Sequence, residues 1–132
     1  MKTVITYGTF DLFHVGHLRM LERAKSLTEG GTLIVAVSTD EFNQAEKHKQ
    51  AVIPYPARSE IIRALRCVDR VIPETSWEQK ISDIQKYNVG IFVIGEDWKG
   101  KFDFLKQYCD VQYLARTPEI STSDIKITIA KA

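Results

Sequence analysis

Two histidines lie three residues apart in the segment TYGTFDLFHVGH, which spans residues 6–17 and includes the end of an apolar stretch. The chain has only three histidines, and this segment contains His14 and His17. If a helix begins near Val15, residues three apart lie on one side of its first turn, and both ring N–H groups can point at one ligand. The free backbone N–H groups and the dipole of a helix N-terminus attract phosphate, and Gly16 leaves room for it to approach. The segment therefore predicts an anion site with two additional donors.

Two other interpretations of the histidine pair stay open at this point. His14 can cap the turn while His17 packs on the sheet, so that both serve the fold and no ligand is involved. A metal site is the third interpretation, but two histidines without a nearby third ligand make a poor zinc site. The spacing alone does not decide among the three.

A second segment looks like a phosphate-binding loop and is not one. GEDWKGK, residues 95–101, matches the first seven positions of a P-loop, but Phe102 stands where a Ser or Thr hydroxyl should bind magnesium. Glu96 and Asp97 would also repel phosphates. Because no G-x-G-x-x-G pattern follows a strand either, the dinucleotide-binding fingerprint is excluded as well.

Five apolar runs rich in β-branched residues predict five strands, and helical patterns lie between them. The predicted strands cover residues 2–7, 32–38, 69–73, 90–95 and 110–115. The predicted helices cover residues 17–28, ended by Gly30 and Gly31, residues 57–68, and the segment 76–88 with Ser76 as its N-cap. Strands that alternate with helices indicate a parallel sheet with helices on both faces. The expected fold is a single α/β domain of the Rossmann-like class with three layers.

In such sheets ligands bind beyond the carboxyl ends of the strands, where the strand order switches direction. The loops to inspect are therefore 8–14, 39–56, 96–100 and 116–121. The polar stretch 40–56 is the longest one without a clear period, and loops of that length are usually lids, binding loops or disordered segments.

Length and composition narrow the function classes. A chain of 132 residues with 44% hydrophobic and 27% charged residues is long enough for one well-buried core. The net charge of +1 provides no global basic field, so nucleic acid is not expected as a partner. No signal peptide or membrane span is visible, and we expect a cytoplasmic protein without a membrane partner. Cys67 and Cys109 form no CxxC pair and are expected to be small apolar fillers.

Two motifs carry a resemblance to a known family. GTFDLFHVGH resembles the G-T-F-D-x-x-H-x-G-H signature of the cytidylyltransferase family in the HxGH nucleotidylyltransferase superfamily, and RTPEISTSDI, residues 116–125, resembles its second motif, R-T-x-G-I-S-T-T. The chain departs from the second motif at Glu119, where the family has glycine, and at Ser123, which keeps a hydroxyl in place of threonine. The two motifs stand in the expected order, and the resemblance covers nearly the whole chain.

The resemblance implies a reaction as well as a fold. CTP and sn-glycerol 3-phosphate would give CDP-glycerol and pyrophosphate, for wall teichoic acid synthesis. It also implies Mg²⁺ bound with CTP and a homodimer. No carboxylate cage for a metal is visible in the sequence, so no residue is assigned as a metal ligand.

The resemblance further implies roles for individual residues. Catalytic roles fall to His14, His17 and Arg116. Nucleotide contacts fall to Thr9, Phe10, His14, His17, Lys49, Arg66, Asp97, Arg116, Ser121, Thr122 and Ser123. Acceptor contacts fall to Lys47 and Lys80. Asp11 is expected to brace a loop as a hydrogen-bond acceptor, and Arg58 to be a surface charge.

Competing functions are cytidylyl or adenylyl transfer to another alcohol phosphate, such as phosphoethanolamine or phosphopantetheine. A catalytically silent nucleotide-binding module belongs to a different class. Pyrophosphate release with different nucleotides and acceptors separates these alternatives.

Overall fold

The computed structural model describes residues 1–115 and 122–131, with the side chains of residues 1–115 and 125–130. Five strands form one sheet in the order β3-β2-β1-β4-β5, and every neighbouring pair is parallel. The strands are β1 (Thr3–Gly8), β2 (Thr32–Ser38), β3 (Arg70–Glu74), β4 (Ile91–Gly95) and β5 (Asp110–Leu114). The helices are α1 (Val15–Ser26), α2 (Asp40–Glu46), α3 (Tyr55–Arg63), α4 (Gln79–Lys86) and α5 (Thr122–Lys131). The predicted Rossmann-like α/β fold with five parallel strands is confirmed.

The core lies on both faces of the sheet because successive side chains of a strand point to opposite sides. Val4 packs in one cluster with residues of α1 and α3, among them Leu21 and Ile62. Ile5 packs in the other cluster with Ile84 of α4. Each strand is thus covered on both faces, which explains the continuous apolar runs in the sequence.

The strand order reverses direction between β1 and β4, which are neighbours in the sheet although they lie far apart in the chain. β1 ends at Gly8 and β4 ends at Gly95. The loops that leave these two ends diverge to different helices and leave a crevice between them. The fold therefore places the ligand-binding position of a Rossmann-like sheet directly after the strand that precedes the two histidines.

The helix limits differ from the predicted ones in three places. Helix α1 ends at a cap on Leu27, and Gly30, with a φ of 85°, lies in the turn beyond it rather than capping the helix. Helix α3 ends at Arg63, five residues before the predicted end, and Ile61 within it is 42% exposed. Ser76 does not cap α4. Instead the Gln79 side chain accepts hydrogen bonds from the backbone N–H groups of residues 75 and 76.

The stretch 40–56 is not wholly irregular, because its first part forms helix α2. The Thr39 hydroxyl accepts a hydrogen bond from the Phe42 N–H and caps this helix, and the acidic Asp40 and Glu41 follow in its first turn. Phe42 is buried. The cap and the single apolar anchor stabilise a short helix whose period is too brief to read from the sequence.

Cys67 and Cys109 pack at the edges of the two core clusters, and burial raises the pKa of both thiols. Their expected role as apolar fillers is confirmed. Within residues 1–115 and 122–131 no helix combines the length and apolarity needed to cross a membrane.

Candidate active site

A cavity of about 490 Å³ opens at the carboxyl ends of the strands, above the crevice between β1 and β4. Residues from three of the four predicted ligand loops line it, namely 8–14, 39–56 and 96–100. The fourth predicted loop, 116–121, lies outside the described residues. The site is therefore at the edge of the sheet where the topology predicts it.

His14 and His17 form the N-terminal cap of α1. His14 is the N-cap residue, and its Nδ1 accepts a hydrogen bond of 3.0 Å from the Gly16 N–H. His17 Nδ1 in turn accepts one of 3.2 Å from the His14 N–H. The two rings are stacked with their centroids 3.9 Å apart. The capping interpretation of His14 is thus confirmed, but the cap uses only the Nδ1 of this ring.

The capping contacts fix the tautomer of both imidazoles. Because each Nδ1 accepts a hydrogen bond, the ring proton of the neutral form lies on Nε2. Burial lowers the pKa of His14, and burial together with the nearby His14 lowers the pKa of His17 to about 4. Both rings are therefore neutral near pH 7. The His14 Nε2 is buried with no hydrogen-bond partner among the described residues, and both histidines line the cavity.

The loop between β1 and α1 is held in an unusual conformation. Phe10 and Leu12 both adopt positive φ angles, 54° and 49°, which non-glycine residues rarely do. Asp11 between them accepts hydrogen bonds from the N–H groups of Val52 and Ile53, at 2.8 and 2.9 Å. Burial acts to raise the pKa of Asp11, but these N–H groups and Lys126 outweigh it, so the pKa is lowered. The expected loop-bracing role of Asp11 is confirmed.

Arg58 is buried, with 1% of its surface exposed, so the expectation of a surface charge is wrong. Its guanidinium donates hydrogen bonds to the carbonyl oxygens of Thr9, Ser38 and Ile53, at 2.9, 2.8 and 2.7 Å. It also bonds the Asp40 carboxylate at 2.7 Å. One cation thus ties together the ends of β1 and β2 and the loop before α3. A helical pattern does not reveal this, because the partners are backbone carbonyls of distant segments.

Two lysines share one buried carboxylate in the cavity wall. Lys80 Nζ lies 3.0 Å from Glu74 Oε2, and Lys47 Nζ lies 3.7 Å from Glu74 Oε1. The Lys80 ammonium also faces the rings of Tyr7 and Trp77, with the Tyr7 centroid 4.6 Å away. Burial lowers the pKa of Lys47, and this effect outweighs the opposing one of Glu74.

The remaining cavity wall carries charges of both signs. Lys49 lines the cavity, where partial desolvation lowers its pKa. Lys126 of α5 lies 3.4 Å from Asp11 and lines the same cavity. Asp97 and Trp98 line the wall beyond β4. Such a mixture can hold a polyanion at one end and a base or polyol at the other.

Most of the site residues predicted from the sequence converge on this cavity, which is lined by Thr9, Phe10, His14, His17, Lys47, Lys49, Lys80 and Asp97. Arg66 does not line it. Arg66 is exposed in the turn between α3 and β3, at the amino-terminal end of the strands and away from the cavity. Arg116 and Ser121 lie outside the described residues, as do the side chains of Thr122 and Ser123, and their expected contacts stay predictions.

The residues of the cavity wall that sequence reasoning missed include Tyr7, Glu74, Trp77 and Lys126. Tyr7 and Glu74 lie at or near the carboxyl ends of strands, which is a usable signal in a parallel sheet. Trp77 precedes Lys80 by three residues at the start of a helix. Lys126 lies one residue beyond the second motif and has no signal of its own.

The donor set does not form a dedicated metal site. Among the described residues, no group of three or more His, Cys, Asp or Glu side chains is placed to hold an ion. Asp11 and Glu74, which line the cavity, already have backbone or lysine partners. A magnesium ion at this site would therefore have the phosphates of a nucleotide as its main ligands.

Comparisons with known proteins agree with this geometry. The sequence profile of the cytidylyltransferase-like family matches residues 5–127. The chain is 60% identical over 130 residues to a glycerol-3-phosphate cytidylyltransferase of Bacillus spizizenii, covering 98% of each chain. It is 54% identical over 126 residues to one of Staphylococcus aureus, covering 96% of this chain and 93% of that one. A lipopolysaccharide core biosynthesis protein of Thermoplasma volcanium shares the fold, with a TM-score of 0.72 at 23% identity over 89% of this chain and 97% of that one.

Proposed function

The chain belongs to the cytidylyltransferase-like family, and we propose that it transfers the cytidylyl group of CTP to sn-glycerol 3-phosphate, with release of pyrophosphate. The substrates are those in the names of relatives that are 54–60% identical over almost the full length. The product is CDP-glycerol. The observation that carries the proposal is the pair of neutral histidines at the N-terminus of α1: both line the cavity, and the buried Nε2–H of His14 has no hydrogen-bond partner among the described residues.

The reaction needs position and charge more than proton transfer. An acceptor phosphate has a second pKa near 6 and is ionised at neutral pH, so no general base is required. An oxygen of this phosphate attacks the α-phosphorus of CTP, a new P–O bond forms, and the bond to the β-phosphate oxygen breaks. The electron pair leaves with pyrophosphate, and no protein group is covalently modified.

His14 and His17 donate Nε2–H hydrogen bonds to the α-phosphate and its bridging oxygen, where negative charge grows as pyrophosphate leaves. Their lowered pKa values suit this role, because a neutral donor keeps its proton throughout the reaction. The α1 dipole and free backbone N–H groups act on the same phosphate. Thr9 and the Phe10 backbone contact the nucleotide at the same end, as do Lys49 and Asp97 on the cavity wall.

The β- and γ-phosphates bind Arg116, Ser121, Thr122 and Ser123 in this proposal, as the second motif implies. Arg66 was assigned a nucleotide contact from the resemblance alone, and its position away from the cavity gives that contact no support within one chain. If Mg²⁺ is bound with CTP, it would be held mainly by the phosphates and would offset part of their charge.

Lys47 and Lys80 favour an acceptor without a cationic group. Their two ammonium groups meet at one carboxylate and already occupy the space between aromatic rings that a choline or ethanolamine head would seek. The cationic head of choline or ethanolamine would be repelled there by the two lysines. Glycerol phosphate has no cationic group and would not be repelled.

The wider setting follows from the product. We place the reaction in the cytoplasm, with CDP-glycerol as a glycerol phosphate donor for wall teichoic acid, in keeping with the Bacillus and Staphylococcus sources of the relatives. The family resemblance supports a homodimer, which sedimentation equilibrium of the purified chain tests.

Pyrophosphate release tests the proposed activity. The assay pairs CTP or ATP with glycerol 3-phosphate, phosphoethanolamine, phosphocholine or phosphopantetheine. We expect release with CTP and glycerol 3-phosphate at a kcat/KM far above every other pair. Preference for ATP would instead indicate adenylyl transfer, and no release with any pair would indicate a silent binding module.

A further inference from the structure

Glu74 is a buried charge for which the proposed reaction has no direct use. It ends β3 at the cavity, is 1% exposed, and Lys80 donates its hydrogen bond of 3.0 Å to Oε2. Its other oxygen, Oε1, has no hydrogen-bond partner among the described residues, and Lys47 Nζ lies 3.7 Å from it. A carboxylate beside a cavity that must take a phosphate would repel the ligand unless it served another purpose.

The two lysines are poorly satisfied without Glu74. An ammonium has three N–H donors. The hydrogen bond to Glu74 is the only one that Lys80 makes within the described residues, and Lys47 reaches only the Thr9 hydroxyl, at 3.4 Å. Both lysines also face aromatic rings. The centroid of the Trp77 ring lies 5.0 Å from Lys80 Nζ and 5.7 Å from Lys47 Nζ. Each lysine therefore keeps N–H donors for a ligand while one carboxylate offsets the charge of both.

We propose that Glu74 is a positioning residue, which holds Lys47 and Lys80 at the cavity wall until the acceptor phosphate arrives as their shared partner. This inference rests on the proposed function. Two positive charges and one negative charge leave the group with an excess of one positive charge, which attracts a phosphate. Without Glu74 the two buried ammonium groups would repel each other and lose the anion that orients them.

Other charged residues near Glu74, Lys47 and Lys80 also influence the pH dependence of acceptor binding. Lys49 lowers the pKa of Lys47 as Lys80 does, and Glu74 raises it. Asp83 accepts a hydrogen bond of 2.7 Å from the hydroxyl of Tyr7, the residue whose ring Lys80 faces. The other charged residues that line the cavity are Asp11, Glu96, Asp97 and Lys126.

Glu74→Gln tests the inference because it keeps the shape of the side chain and removes its charge. We expect the KM for glycerol 3-phosphate to rise about tenfold to a hundredfold, the loss associated with one charge-assisted hydrogen bond, while the KM for CTP changes far less. We also expect the alkaline limb of kcat/KM for the acceptor to move to lower pH, because Lys47 loses the carboxylate that raises its pKa. Glu78→Gln, on an exposed residue just before α4, is the matched control. It should change neither the KM for glycerol 3-phosphate nor the pH of the alkaline limb.

A purely structural ion pair predicts a lower melting temperature with an unchanged acceptor KM and an unchanged alkaline limb. Glu74→Asp keeps the charge on a shorter side chain, and we expect an intermediate acceptor KM with the alkaline limb retained. If either folded variant has a wild-type or lower acceptor KM, the inference is overturned. If the wild-type chain forms no CDP-glycerol at all, the proposed function fails instead.

Discussion

At the scale of single residues, the geometry of His14 and His17 allows two roles at once, the cap of α1 that is observed and the proposed hydrogen bond to a ligand. Their Nδ1 atoms complete the cap of α1, and this contact directs the Nε2–H groups to the cavity. Structural and chemical roles are therefore not in competition, because an imidazole has two nitrogens with different partners. The histidine spacing indicated a shared ligand but could not reveal the tautomer, which depends on backbone geometry in the first turn of the helix.

The neutral state of the histidines gives a prediction about pH. We expect the ring protons of His17 to titrate with a midpoint of about 4, and those of His14 below the ordinary value, because burial disfavours both charged forms. NMR titration measures the midpoints, with His14→Asn and His17→Gln used to assign the signals. A midpoint at or above 6.5 for His17 would contradict the lowering of its pKa by burial.

The lowered pKa of His17 also makes the free energy of unfolding depend on pH. In the unfolded chain the pKa of His17 is about 6.5, whereas in the folded chain it is about 4. Between these values the unfolded state binds more protons. The free energy of unfolding should therefore fall as the pH decreases from about 6.5 to 4. Urea titrations across this range should show a shallower fall for His17→Gln than for the wild type.

At the scale of elements, the site depends on loops that one arginine connects. The sequence predicts α3 and its position, but the pattern gives no sign that Arg58 points inward. Its partners are the carbonyl groups at the ends of β1 and β2, which come together only in the folded sheet. The sequence pattern of the stretch 40–56 does not reveal helix α2 either. This helix depends on a local cap and on one buried aromatic ring, and it is too short to show a period.

Arg58→Met should destabilise the fold and disturb the cavity. It leaves three carbonyl oxygens, one of them fully buried, without their donor and Asp40 without its cation, and we expect a loss of about 3 kcal/mol in the free energy of unfolding. Arg63→Met, on an exposed residue of the same helix, is the matched control and should change it by less than about 0.5 kcal/mol. Equal stability of the two variants in urea unfolding would show that the Arg58 contacts do not hold the loops together.

At the scale of the whole molecule, the sheet brings distant segments to one edge. β1 and β4 are neighbours, so His14 and Asp97 face the same cavity although they lie 83 positions apart in the chain. The alternation of strands and helices was enough to predict this edge, because parallel strands put their carboxyl ends together. The limits of the helices and the roles of Glu74 and Trp77 were not predictable, since they depend on packing between elements.

We expect the two neutral histidines of this cavity to stabilise the transfer of a cytidylyl group. The kcat of the His14→Asn variant measures this role of His14. Asparagine preserves the N-cap acceptor that His14 supplies through Nδ1 but has no counterpart of Nε2–H. We expect the kcat for CDP-glycerol formation to fall by about 10²–10³, with a near-normal melting temperature and a much smaller change in CTP affinity. A folded His14→Asn variant with the wild-type kcat would contradict the account.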